Sequence, residues 1–182
     1  MKALQYFFIG LFFLGLNSCK EDEKIPAPVE ETVSTFYLIR HAEKDRSDPE
    51  NADPELTQKG LGRAMHWAEI LDDVVLDAIY STDYERTSMT AAPTSVKKDI
   101  DVTYYTPAQI DIEEFKKTHA GQNVLIVGHS NTTPDFVNKL LGEEKYSPME
   151  DDDNGSLFIV QLVGDKAFDT RLRFNCNCIQ NP

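Results

Sequence analysis

The stretch Thr35-Phe36-Tyr37-Leu38-Ile39-Arg40-His41-Ala42-Glu43 decides the fold. Its first five residues form a short apolar, β-rich run, the composition of a strand that is buried rather than half-solvated. An Arg-His pair emerges where that run stops. Residues 45–55, Asp45 to Glu55, are polar throughout and cannot bury themselves, so they read as a surface loop. Thr57 is then a good helix N-cap, and Leu61, Ala64, Met65, Ala68 and Leu71 follow at helical spacing on one stripe.

Further along, the pattern repeats in kind without repeating in sequence. Residues 77–80 read as a second strand and 84–93 as a helix. Residues 102–105 and 112–118 read as a strand and a short helix. Residues 123–127 form the clearest strand of the chain, ended by Gly128. Thr133 and Pro134 suit an N-cap and first helical position, Phe136, Val137, Leu140 and Leu141 share a face, and Gly142 stops the helix. Residues 157–163 and 170–174 are closing strands that can pair around Gly164. Strands alternating with helices imply an α/β fold: a three-layer sandwich with a mostly parallel central sheet and helices on both faces.

Length and charge restrict the function. The 182 residues allow one domain with one core, and 41% hydrophobic with 27% charged residues is ordinary for a folded protein. A formal charge of -13 and a pI near 4.6 exclude a nucleic-acid partner, which would need clustered Lys and Arg. Any phosphate site must therefore be built locally, from a few converging cations.

The N-terminus reads as an export signal. Lys2 gives a short basic start, and residues 6–16 are apolar apart from Gly10 and Gly15. Leu16-Asn17-Ser18-Cys19 resembles the lipobox of bacterial lipoproteins, which implies that Cys19 is lipidated and becomes the mature N-terminus. Residues 1–18 are then a signal peptide, 19–33 an acidic tether containing Pro26 and Pro28, and 34–182 the folded domain. The charged run after Cys19 resembles a signal for the outer leaflet. The expected location is the bacterial cell envelope, as an outer-membrane lipoprotein facing periplasm or exterior and held to the membrane by its lipid. Cys176 and Cys178 are too few to hold a structural metal and receive no function.

The chemistry is carried by residues that each follow a predicted strand: Arg40 and His41, residues 81–86 ending in Arg86, and His129. Ligands of open α/β sheets bind beyond the carboxyl ends of the strands, so these sets can converge. Two guanidiniums can hold a phosphoryl group through paired hydrogen bonds, and a neutral imidazole is nucleophilic without a separate base. Phosphoryl transfer needs little beyond positioning and charge neutralisation. Singly, any of these residues would be an ordinary surface or core group. His66 and His119 carry no such context and read as structural.

Arg40-His41-Ala42-Glu43-Lys44, Ser81-Thr82-Asp83-Tyr84-Glu85-Arg86-Thr87 and Gly128-His129-Ser130, with Leu56-Thr57 and Gly60 between them, resemble the signature segments of the histidine phosphatase (phosphoglycerate mutase-like) superfamily, in its small phosphohistidine-phosphatase-like branch. The resemblance implies that His41 takes the phosphoryl group, that Arg40 and Arg86 bind it, and that His129 adds a donor, with no metal and no cofactor. Ala42 stands where the family usually has Gly. The family's proton donor has no clear counterpart: Asp99, Asp101, Asp111, Glu113, Glu114 and Glu43 are all open. The expected reaction is hydrolysis of a phosphoester or phosphoramidate through a phosphohistidine on His41, the partner being a small phosphorylated substrate or a phosphohistidine protein. The alternatives are a mutase-like phosphoryl transferase and a non-catalytic phospholigand-binding lipoprotein. Residues 150–153 lack the spacing of a calcium loop and read as solvated.

Overall fold

The computed structural model describes residues 32–175, all within the unit Glu31–Pro182. Cys19, Cys176, Cys178, the signal segment and nearly all of the tether lie outside the described residues. The elements are β1 (Val33–Arg40), α1 (Gln58–Ile70), β2 (Ala78–Thr82), α2 (Glu85–Lys98), β3 (Val102–Tyr105), α3 (Ile112–Thr118), β4 (Asn123–Gly128), α4 (Thr132–Leu141), β5 (Ser156–Val163) and β6 (Lys166–Arg173), with a single 3-10 turn at Pro107–Gln109.

The sheet has six strands in the order β3-β2-β4-β1-β5-β6. β3, β2, β4 and β1 are parallel, as a strand-helix alternation requires. β5 runs antiparallel to β1, and β6 antiparallel to β5, so the sheet is mixed and the mostly parallel expectation holds for four strands. The closing hairpin turns at Gly164, whose φ of 56° is the left-handed conformation glycine supplies without strain. β6 begins at Lys166, earlier than its composition suggested, because it pairs along the whole of β5.

The three layers follow from period-two alternation in the strands. Phe36, Leu38, Val124, Ile126, Phe158 and Val160 face one way and pack with Phe115, Phe136, Val137 and Leu140 of α3 and α4. Ile39, Leu125, Val127 and Leu157 face the other way and pack with Trp67, Leu71 and Ala91 on the α1 and α2 side. A strand apolar on both faces reads as a continuous hydrophobic run, which is why β1 and β4 were the easiest to see.

Local details depart from the sequence reading where packing overrides propensity. α2 continues past Pro93 to Lys98, burying Thr90, Ala91 and Thr94, and ends at Asp99 with φ 55°. α4 opens at Thr132 with Asn131 as its cap, two residues before Pro134. α1 begins as expected: the Thr57 side chain accepts from the Gly60 amide at 3.0 Å and donates to the Glu43 carbonyl at 3.1 Å. A β-carbon on Gly60 would lie 2.2 Å from that carbonyl oxygen, so only glycine lets α1 approach the segment after β1 this closely.

Candidate active site

β1 and β4 are neighbours whose following helices, α1 and α4, leave to opposite faces. This is the topological switch point, where a parallel sheet opens a crevice beyond its strand ends. The register sets Arg40 opposite Gly128, and the His41 amide donates to the Gly128 carbonyl at 2.9 Å. His41 and His129 therefore meet across the crevice, their rings 5.5 Å apart. Arg40, His41, Arg86 and His129 all line one cleft of about 510 Å³, with Thr82, Tyr84 and residues 106–108 as further walls.

His41 is 4% exposed, and its Nδ1 lies 2.8 Å from the Ala42 carbonyl oxygen. A carbonyl only accepts, so Nδ1 carries the hydrogen and Nε2 keeps its lone pair. Burial pushes the imidazole down to about 3, against the pull of the Ala42 carbonyl and with help from Arg40, His129 and Arg86. The ring is thus neutral and nucleophilic across the neutral range. Its backbone is fixed on both sides: Asn154 Nδ2 donates to the His41 carbonyl at 2.9 Å, and the Ala42 amide donates to Thr90 Oγ1 at 2.9 Å. Ala42 itself is fully buried and packs with Leu56 and Ala64.

His129 is lowered to about 4 by burial and then by Arg86, Arg40 and Lys44, with Asp53 acting the other way. Its Nε2 lies 2.8 Å from Thr82 Oγ1, and Thr82 in turn reaches Thr87 Oγ1 at 3.1 Å. A hydroxyl both donates and accepts, so this threonine pair can hold the ring in either tautomer.

The two guanidiniums are half-engaged. Arg40 Nη1 donates to the carbonyls of Glu150 at 2.9 Å and Asp151 at 3.0 Å, and Nη2 meets Asp151 Oδ1 at 3.3 Å. Arg86 Nη1 meets Asp53 Oδ1 at 3.0 Å, and its guanidinium stacks 4.3 Å from the Tyr84 ring. The Nε atoms of both arginines are buried without any acceptor. Buried charged donors without partners are costly, and a phosphoryl oxygen is the kind of acceptor they lack.

The structure thus brings together all four sequence-predicted site residues. It does not bring the acid candidates with them. Asp99, Asp101, Asp111, Glu113 and Glu114 do not line the cleft; Asp111 caps α3, and Glu113 pairs with Lys116. Glu43 lines a cleft with His41 but is clamped by Arg63 Nε at 2.8 Å and Nη2 at 2.7 Å, with Lys59 at 3.3 Å. Burial alone would raise its carboxyl, but Arg63 and Lys59 hold it below the usual range, so it is ionised and has no proton to give.

Residues 150–153 correct the sequence reading. The segment is not merely a solvated loop, because its carbonyls and Asp151 cradle Arg40. Backbone carbonyls leave no mark in sequence, and the acidic side chains pointed to solvent. Thr82, Thr87, Asp53, Arg63 and Asn154 were likewise missed as supports of the site; Thr82 and Thr87 lie inside the second quoted segment.

The family model of the histidine phosphatase superfamily (branch 1) matches residues 36–106, a span containing Arg40, His41 and Arg86. Over that span the chain is similar to the histidine phosphatase superfamily. His129 lies beyond the matched span and joins the site through geometry. Among solved structures with this fold is the protein histidine phosphatase SixA complexed with tungstate, at 13% identity and TM-score 0.60, covering 76% of this chain and 96% of that one. The alpha-ribazole phosphatase from Shigella flexneri aligns at 19% identity and TM-score 0.60, covering 81% and 100%. A phosphoglycerate mutase from Bacillus anthracis aligns at 16% identity and TM-score 0.59, covering 78% and 93%. At such identities the likeness is one of histidine phosphatase fold. No curated protein matches the chain by sequence.

Proposed function

We propose that this protein is a metal-independent phosphatase working through a phosphohistidine on His41, with Arg40, Arg86 and His129 holding the phosphoryl group. The observation that carries the reading is the state of His41: a buried, neutral ring whose Nδ1 is committed to the Ala42 carbonyl, leaving Nε2 free beside two guanidiniums with unmet donors.

In the first step the Nε2 lone pair attacks phosphorus, the bond to the leaving group breaks, and that group departs with the electron pair. In the second, water attacks the phosphohistidine, the N–P bond electrons return to Nε2, and a proton is released as inorganic phosphate forms. Arg40 and Arg86 neutralise the equatorial oxygens in both transition states, and His129 donates a hydrogen bond to them. The cationic work thus falls to side chains. Among the described residues, no cluster of three or more His, Cys, Asp or Glu is placed to hold a metal.

The leaving group is expected to be one that needs no proton donor, such as a phenolate or a phosphohistidine imidazole. Supporting this, two carboxylates that line a cleft with His41, Glu43 and Asp151, are both held ionised: Glu43 by Arg63, and Asp151 first by Arg46 and then by Arg40. The SixA neighbour, a protein histidine phosphatase, supports a phosphohistidine substrate. We further propose that Cys19 is lipidated and anchors the domain in the envelope.

The test is a substrate panel on the purified domain, covering aryl phosphates, alkyl phosphates and phosphohistidine peptides, with and without EDTA. Turnover of aryl phosphate or phosphohistidine that resists EDTA and is lost in His41→Ala supports the proposal. A divalent-ion requirement, or turnover surviving in His41→Ala, contradicts it.

A further inference from the structure

His41, Lys44 and Asp151 stand on the ridge between two clefts. One is the phosphoryl cleft; the other, about 460 Å³, is rimmed by Lys44, Arg46 and Lys59 together with Glu43 and residues 150–152. In the second cleft Arg46 is neutralised by Asp151 at 2.7 Å and Lys59 by Glu43 at 3.3 Å. Lys44 is different. Among the described residues its ammonium has neither an ion pair nor a hydrogen bond. Lys117 and Lys166 share that condition but are exposed, whereas Lys44 is half-buried.

The position of Lys44 is not an accident of a loose loop. Its backbone bridges Leu56, flanked by hydrogen bonds of 2.8 Å from Thr57 to the Glu43 carbonyl and from Asp45 to the Glu55 carbonyl. Burial, and after it the guanidiniums of Arg86, Arg46 and Arg40, act against its charge, with Asp151 as the counterweight of opposite sign. A lysine fixed among arginines, in a chain of net charge -13, is an unmet demand for an anion.

The phosphoryl oxygens already have Arg40, Arg86 and His129. Displacement at phosphorus puts the leaving group opposite the attacking Nε2, out in the cleft, and Lys44 is the cation on the wall of that cleft without a partner among the described residues. From this geometry, and resting on the phosphatase reading above, we infer that Lys44 is a specificity residue that pairs with a second anionic group carried by the leaving group. The preferred substrate class is therefore a phosphorylated compound or peptide with a carboxylate or further phosphate close to the scissile bond.

The experiment compares phenyl phosphate with 3-carboxyphenyl phosphate, each kcat/KM corrected for intrinsic reactivity, in wild type, Lys44→Met, Lys44→Arg and the remote control Lys117→Met. The expected preference for the carboxylated substrate is roughly tenfold in wild type, the scale of one hydrogen bond to a charged group. It should persist in Lys44→Arg and Lys117→Met and fall to near unity in Lys44→Met. A wild type without preference, or Lys44→Met depressing both substrates by the same factor, overturns the inference while leaving the phosphatase reading intact. Turnover of neither aryl phosphate overturns this inference, and the phosphatase reading falls with it only if a phosphohistidine peptide is also left intact.

Discussion

His41 Nδ1 donates to the carbonyl of its own neighbour Ala42 across 2.8 Å, and this contact determines which ring nitrogen can act as nucleophile. Because the ring is buried and crowded by cations, it stays neutral in the free protein down to about 3, and His129 down to about 4.

The first prediction is a pair of depressed histidine titrations. Nitrogen-detected NMR should find both rings uncharged at pH 6, with His41 as the Nδ1–H tautomer, and a dianion such as inorganic phosphate should raise their titration midpoints. The sign for stability follows. The unfolded chain binds these protons near 6.5 and the folded chain only near 3 and 4, so folding loses stability as pH falls through that window. Midpoints near 6.5 in the free protein would show that the rings are more solvated than described.

The second prediction concerns the leaving group. With Glu43 and Asp151 held ionised, aryl phosphates or phosphohistidine should outpace simple alkyl monoesters beyond their intrinsic reactivities, since general acid catalysis typically contributes about 10²–10⁴-fold. Replacing Asp99, Asp101, Asp111, Glu113, Glu114 and Glu43 singly should slow aryl phosphate cleavage little. Selective loss of alkyl phosphate turnover by orders of magnitude in one variant would reveal a dedicated acid.

The third prediction separates support from catalysis. Arg63→Ala leaves Glu43 half-buried without its fork of hydrogen bonds and should cost about 2–3 kcal/mol in urea unfolding, part of the charge remaining with Lys59. A loss within error would mean that water serves Glu43 as well as Arg63 does.

The fourth prediction addresses the carboxylate on Arg40. Asp151 is 75% exposed, so its pairing with Arg40 is weak and competes with an incoming anion. Asp151→Asn retains the backbone carbonyl that holds Arg40 and should tighten inhibition by inorganic phosphate about two- to fivefold. Weaker inhibition would mean that Asp151 positions the guanidinium rather than competing for it.

The parts of this molecule legible in sequence were those governed by burial and by side-chain type. β1 and β4 announced themselves as apolar runs, and Arg40, His41, Arg86 and His129 each followed a strand end, where an open sheet gathers its ligands. The antiparallel edge was less legible, because β6 alternates exposed and half-buried residues and owes its length to pairing with β5. α2 outlasts Pro93 because tertiary burial outweighs the local penalty. Least legible was the cradle of Arg40, made of Glu150, Asp151 and Asp153 carbonyls that any sequence could provide. Lys44 lay in plain view within the first quoted segment, but its lack of a partner is a property of three dimensions.

In the proposed mechanism the phosphoryl group passes through His41 Nε2. Mixing the domain with a reactive aryl phosphate, quenching in alkali within the first turnovers and mapping the phosphoryl group by mass spectrometry tests it directly. An acid-labile, alkali-stable adduct on the His41 peptide, bonded at Nε2 and absent from His41→Ala, is the expected result. A phosphoryl adduct on any other residue would contradict it.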